Sequence, residues 1–215
     1  MVTTKTAPSL WAGQQLHIAC LIPLLSLAWL AWTYLGRPFP VAFWVAIAIP
    51  ITHQIFVLVI WRTELRSQSI SKTIGFRGYL IGFSLLFYGR FISLLILAWL
   101  SRGSLNLSTL PQEVITTIFV LLGAYTVHSV IRYFEIKRVV GVDHFDPRYR
   151  EMTLVKEGIF RFSSNGMYVY GFLLFLAIAI GFNSAAALIV AVFNHAYIWV
   201  LFYTIEKPDM DYLYG

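Results

Sequence analysis

The sequence is short of cysteine and of charge. Cys20 is its one cysteine, and 12% of its 215 residues are Asp, Glu, Lys or Arg. A lone cysteine excludes an intrachain disulfide and any metal centre built on cysteine. The five histidines are scattered and form no His-Glu-x-x-His helix, so no metal site is expected. There is no Gly-x-Gly-x-x-Gly turn and no Gly-x-Ser-x-Gly elbow. Those absences argue against a soluble dinucleotide fold and against a hydrolase of the nucleophile-elbow type.

Long apolar runs fill the space that charge leaves. The chain is 59% hydrophobic, with a mean hydropathy of +0.73. A soluble domain carries about 25% charged residues. The composition therefore predicts an all-α integral membrane protein, a bundle of five or six transmembrane helices. Spans are expected over roughly 17–35, 41–61, 79–100 and 114–134, with a kink at Pro50. The first run is too long for the apolar core of a cleaved signal and reads as a span. The runs "MYVYGFLLFLAIAIGF" and "AAALIVAVFNHAYIWVLFYTI" flank Asn183 and Ser184 and predict a C-terminal helical hairpin. The first arm, about 16 residues, is short for an upright crossing of roughly 20 residues. Residues 1–135 read as four spans with short loops, and 136–215 as a polar loop, the hairpin and a tail.

The net charge of +6 does not indicate nucleic acid, because the basic residues lie in loops between spans. With six crossings, twelve Lys and Arg fall on one side and two, Arg37 and Arg102, on the other. That bias predicts a cytoplasmic N-terminus, long loop and tail. The loop and tail then share one compartment and can build a common site.

Several polar residues interrupt apolar runs, and such groups are expensive in a bilayer. His195 lies eleven residues before Glu206, close to three helical turns. Arg90 sits mid-span in "LLFYGRFISLL", and Arg132 lies near the end of the fourth span. The bland alternative is that Asn194 and His195 bond between helices and that the arginines anchor headgroups. His17 and His53 are expected to be structural. The bland reading of "EKPDMDYLYG" is a solvated tail, with Pro208 ending the last helix.

Two stretches weigh against that reading of the tail: "VKEGIFRFSSNGMYVYGFLL" and "FNHAYIWVLFYTIEKPDMDYLYG". Together they resemble the C-terminal half of the membrane methyltransferases of phospholipid amines and isoprenylcysteine carboxylates. Gly158, Ile159, Phe160, Arg161 and Phe162 match that family's Gly-(Ile/Pro)-(Tyr/Phe)-(Arg/Ala)-(Tyr/Phe) run. Asn165, Met167, Tyr168 and Gly171 match the core that follows, with Gly166 where a proline is usual. After the hairpin, Glu206, Met210, Tyr214 and Gly215 keep the family spacing. Lys207 replaces the second glutamate, which makes Asp209 a candidate substitute. The pattern is most similar to the phosphatidylethanolamine N-methyltransferase branch.

The resemblance implies S-adenosylmethionine as methyl donor, bound on the cytoplasmic side. It assigns Arg161, Asn165, Gly166, Met167, Tyr168, Gly171, His195, Glu206 and Tyr214 to donor binding. Glu206, His195 and Asp209 become the candidate catalytic groups, and Arg90 and Arg132 the candidates for binding a lipid substrate. The implied location is a bacterial inner membrane, or the endoplasmic reticulum in a eukaryote. Three alternatives stay open at this point: methylation of an isoprenylcysteine or another small lipophilic acceptor, a nicotinamide-dependent sterol reductase, and a non-enzymatic scaffold or transporter subunit. The two halves show no matching pair of broken helices, which weakens the transporter reading.

Overall fold

The computed structural model describes residues 6–215; Lys5, counted above with the basic side, lies outside the described residues. Helices α1 (Gln14–Tyr34), α2 (Pro40–Ser67), α4 (Gly75–Leu100) and α5 (Thr109–Ser129) form the N-terminal four spans, with the short α3 (Ser69–Thr73) between α2 and α4. α5 continues into a π-helical turn, Val130–Phe134. A loop of short turns follows, including α6 (Ile136–Val139). The π turn Met167–Gly171 then leads into α7 (Leu173–Gly181). α8 (Ala185–Leu201) passes through a third π turn, Phe202–Glu206, into α9 (Lys207–Tyr214). No strand occurs among the described residues.

Five helices are long and apolar enough to cross a membrane, and Met167–Gly181 is a shorter apolar sixth. The bundle of five or six spans with a C-terminal hairpin is therefore the observed architecture. Pro50 lies inside α2, whose helix continues through it. Pro208 departs from expectation. It does not end the last helix but sits in the first turn of α9, directly after the π turn. The terminal segment is thus a docked helix rather than a loose tail.

α8 is the central helix and touches α1, α2, α4 and α7. Its buried Ala186, Ala187, Val190 and Ala191 are small, so neighbouring backbones approach closely, as in membrane bundles generally. Trp32 stacks on Phe43 at 4.9 Å, and Leu94 and Leu97 complete this core. Outward faces carry exposed Leu27, Leu30, Leu85, Trp99, Leu121 and Ile131, the surface that hydrocarbon would cover.

The turns sort by end. At one end, Gly103 N–H donates to the Phe182 carbonyl at 3.1 Å and Leu105 N–H to that of Asn183 at 2.8 Å. The Ser101 and Ser184 hydroxyls meet there at 2.6 Å. At the other end, Arg62 donates to the Ser9 carbonyl at 2.7 Å, and Tyr79 to that of Val140 at 2.7 Å. The three π turns, the long loop and α9 all gather at this second, basic end.

Candidate functional site

The site begins with a glycine. Gly158 has a φ of +59°, and a Cβ there would lie 2.5 Å from Ser129 Oγ. That close approach lets Ile159 N–H donate to the Ser129 hydroxyl at 3.0 Å, which pins the loop to the end of α5. The Asn165 carbonyl then accepts from Tyr168 N–H at 2.9 Å and Val169 N–H at 3.1 Å, opening the next π turn. Gly166 is buried, with a Cβ position only 3.1 Å from the Ile159 side chain. Met167 heads the turn and Gly171 closes it.

Tyr168 projects from this turn, and its hydroxyl donates to a Glu206 carboxylate oxygen. Glu206 ends the π turn between α8 and α9. The two partners are 38 residues apart in the chain, and each stands on a π turn. π turns occur mostly as single interruptions of α-helices, frequently at functional sites. Aromatic rings surround Tyr168: Trp199, Phe202 and Phe172 have centroids 6.0, 5.9 and 6.4 Å from its own. His195 is half-buried and lies 5.9 Å from Phe172.

A second constellation docks α9. Asp209 is fully buried, with one oxygen 2.6 Å from Arg62 Nε and the other 3.4 Å from His144 Nε2. His144 Nδ1 lies 3.1 Å from Asp143, and Tyr214 donates to the other Asp143 oxygen at 2.8 Å. Trp61 stacks on the His144 ring at 4.1 Å. Burial pushes the His144 proton off, but the hydrogen bonds and charges of Asp143 and Asp209 outweigh it and raise its pKa. Burial pushes the Asp143 pKa up, but bonds and charge from His144 and the Tyr214 bond outweigh it and hold the pKa low. Two carboxyl groups thus face the His144 imidazole and the Arg62 guanidinium.

The sequence-derived candidates divide by position. Tyr168 and Glu206 meet directly. Asp209 lies one turn beyond Glu206, locked in its ion pair. Tyr214 contacts Asp143. Arg161 and Arg132 are exposed. Arg90 is buried deeper in the bundle and donates to Asn194 at 3.0 Å, its guanidinium 5.2 Å from the Phe172 centroid. Asn194 precedes Glu206 by twelve residues, about 18 Å along a helix. Arg90 therefore lies at a different depth from Glu206. Two recesses lie elsewhere and include neither Tyr168 nor Glu206. One of about 420 Å³ adjoins Phe145–Tyr149, and an apolar one of about 590 Å³ lies between α2 and α4.

Sequence reasoning missed Arg62, Asp143 and His144. In the sequence Arg62 is one of the basic residues that set orientation, and the "DH" pair lies within the long polar loop. The one available signal was an acid–histidine dipeptide beside aromatics in a long loop.

The phospholipid methyltransferase family model matches residues 111–215. Over that C-terminal stretch the chain is similar to the phospholipid methyltransferase family. No curated protein and no solved structure matches the chain. The phospholipid methyltransferase region starts at α5 and contains Tyr168, Glu206, His144 and Asp209. Arg62 comes from outside it, on α2.

Proposed function

We propose that this chain transfers a methyl group from S-adenosylmethionine to a membrane lipid, most favourably to the amine of an ethanolamine phospholipid. The observation that carries the reading is the Tyr168–Glu206 contact, which joins the two sequence blocks at the basic end of the bundle. The residues present fit the donor. A half-buried carboxylate bonded to Tyr168, whose ring lies among Phe172, Trp199 and Phe202, suits a cationic sulfonium with an amino group. When bound, S-adenosylmethionine supplies an activated methyl group for in-line displacement.

The chain's own residues orient, exclude water and move a proton. An ethanolamine headgroup is an ammonium at neutral pH and must lose a proton before its nitrogen attacks. Glu206 accepts that proton at its carboxylate, with the Tyr168 hydroxyl holding the carboxylate in place. His195 and the backbone of 165–168 line the donor's side of the site. Asp209 holds α9, and the exposed Arg132, at the same end, meets the lipid phosphate. Arg90, bonded to Asn194 and 5.2 Å from the Phe172 centroid, would meet the substrate deeper in the bundle than Glu206. The basic bias supports a cytoplasmic orientation for this end and both termini, the side where the donor is made. The aromatic cover keeps water from the transferring methyl.

The test is mass analysis of lipids from membranes carrying the chain, with binding of S-adenosylhomocysteine followed by calorimetry. Mono-, di- or trimethylated ethanolamine lipids and saturable binding are expected. Methylation confined to a non-amine acceptor would move the reading to another lipid, and a protein that binds no donor analogue would overturn it.

A further inference from the structure

We propose that Arg62 is a positioning residue for Glu206, acting from outside the phospholipid methyltransferase region; the inference rests on the function proposed above. A π turn is one residue wider than an α turn, so it leaves backbone carbonyls without their usual partner. Such a bulge relaxes to α-helix unless its surroundings hold it, and relaxation would rotate the residues beyond it by roughly 100°. Glu206 is the last residue of the Phe202–Glu206 bulge, so its aim at Tyr168 depends on the bulge persisting.

Arg62 supplies the hold. Its Nη2 lies 3.5 Å from the Thr204 carbonyl and 3.4 Å from that of Ile205, both within the bulge. Its Nε faces Asp209 at 2.6 Å, three residues past Glu206. Nη1 donates to the Ser9 carbonyl at 2.7 Å and so anchors the guanidinium to the N-terminal segment. One planar, fully buried fork thus grips the chain on both sides of Glu206. α1 supports the same turn. His17 Nδ1 meets the Thr204 hydroxyl at 3.0 Å, and Gly13 packs so closely that a Cβ would lie 2.4 Å from the Thr204 carbonyl. The first two spans therefore serve as a mould for the catalytic turn. Lysine would keep the charge but lose the fork.

Arg62→Lys and Arg62→Gln, assayed as full-length protein in vesicles containing phosphatidylethanolamine, test this. For Arg62→Gln we expect kcat to fall about 10²-fold, the cost of a misplaced catalytic group. S-adenosylhomocysteine affinity should also fall, since Glu206 faces the donor's amino group, but by less than kcat, and the base limb of the pH–rate profile should move as the aim of Glu206 is lost. Arg62→Lys should fall between wild type and Arg62→Gln. Wild-type kcat and an unmoved limb in folded variant would overturn the proposal, and Arg62→Lys decides on the same readings if Arg62→Gln does not fold. An active wild type with indifferent variants sinks this inference alone. A wild type that transfers no methyl group sinks the proposed function and takes this inference with it.

Discussion

At the scale of single residues, one carboxylate and one phenol carry the proposed chemistry. Replacing Glu206 with Gln keeps its size but removes the proton acceptor, so methyl transfer is expected to fall by about 10²- to 10⁴-fold. Tyr168→Phe keeps the ring among Phe172, Trp199 and Phe202 and loses only the hydroxyl. Its cost should be nearer tenfold, the worth of about one hydrogen bond. Methyl-transfer rates for the two variants check both, and an equal loss in each would contradict the division of roles. Two glycines give a stability test. Gly158 combines a positive φ with a Cβ position 2.5 Å from Ser129 Oγ. Gly158→Ala should therefore lower stability by about 2–3 kcal/mol. A Cβ at Gly171 would meet Thr126 Cγ2 at 3.6 Å, ordinary contact, so Gly171→Ala should leave the melting temperature nearly unchanged. The motif marks both glycines alike, and only the packing separates them.

At the scale of elements, α9 is held by a titratable clamp. His144 has its pKa raised, so its contribution is complete below the unfolded histidine value of about 6.5 and is lost as pH rises through the folded value. Asp143 has its pKa lowered, so its contribution is present above the unfolded carboxylate value of about 3.9 and is lost as pH falls through the folded value. The clamp is therefore tightest between roughly pH 4 and 6.5. The groups facing His144 are Asp143 from its own loop, Asp209 from α9 and, across Asp209, Arg62 from α2. Melting temperature should decline as pH rises from about 6.5 to 9, and His144→Gln should flatten that decline. Identical slopes would contradict the clamp. The elements were unevenly legible in the sequence. Apolar runs marked the spans, because bilayer length constrains them directly. Asn183 and Ser184 marked the hairpin turn. The course of α9 was hidden, because Pro208 reads equally as a helix stop and as a first-turn residue, and only the docking of Asp209 decides. The π turns were hidden too, since no residue pattern here distinguishes a widened turn from an ordinary one. The pairing of Tyr168 with Glu206 came within reach only through the two spaced motif blocks, whereas Arg62 and His144 find Asp209 through tertiary contact alone.

At the scale of the whole molecule, the turns at 101–108 and 182–184 share one end, and Arg62, Val140, Glu206 and α9 share the other. With Cys20 replaced by Ser, a cysteine placed in 103–107 should react with an impermeant maleimide from outside the cell. One placed at Gly215 should react only after permeabilisation, and the reverse pattern would contradict the assigned orientation. On the proposed function, α1 and α2 steady the reactive turn of the C-terminal half, with the donor arriving from water and the acceptor from the bilayer. The most direct test of that picture is transfer of labelled methyl from S-adenosylmethionine to phosphatidylethanolamine by the purified full-length chain in vesicles, with Glu206→Gln beside it. Label in methylated ethanolamine lipids from the wild type and its near-complete loss in the variant is the predicted result. Equal labelling by the two proteins would contradict the role of Glu206, and no lipid labelling by folded wild type would contradict the account itself.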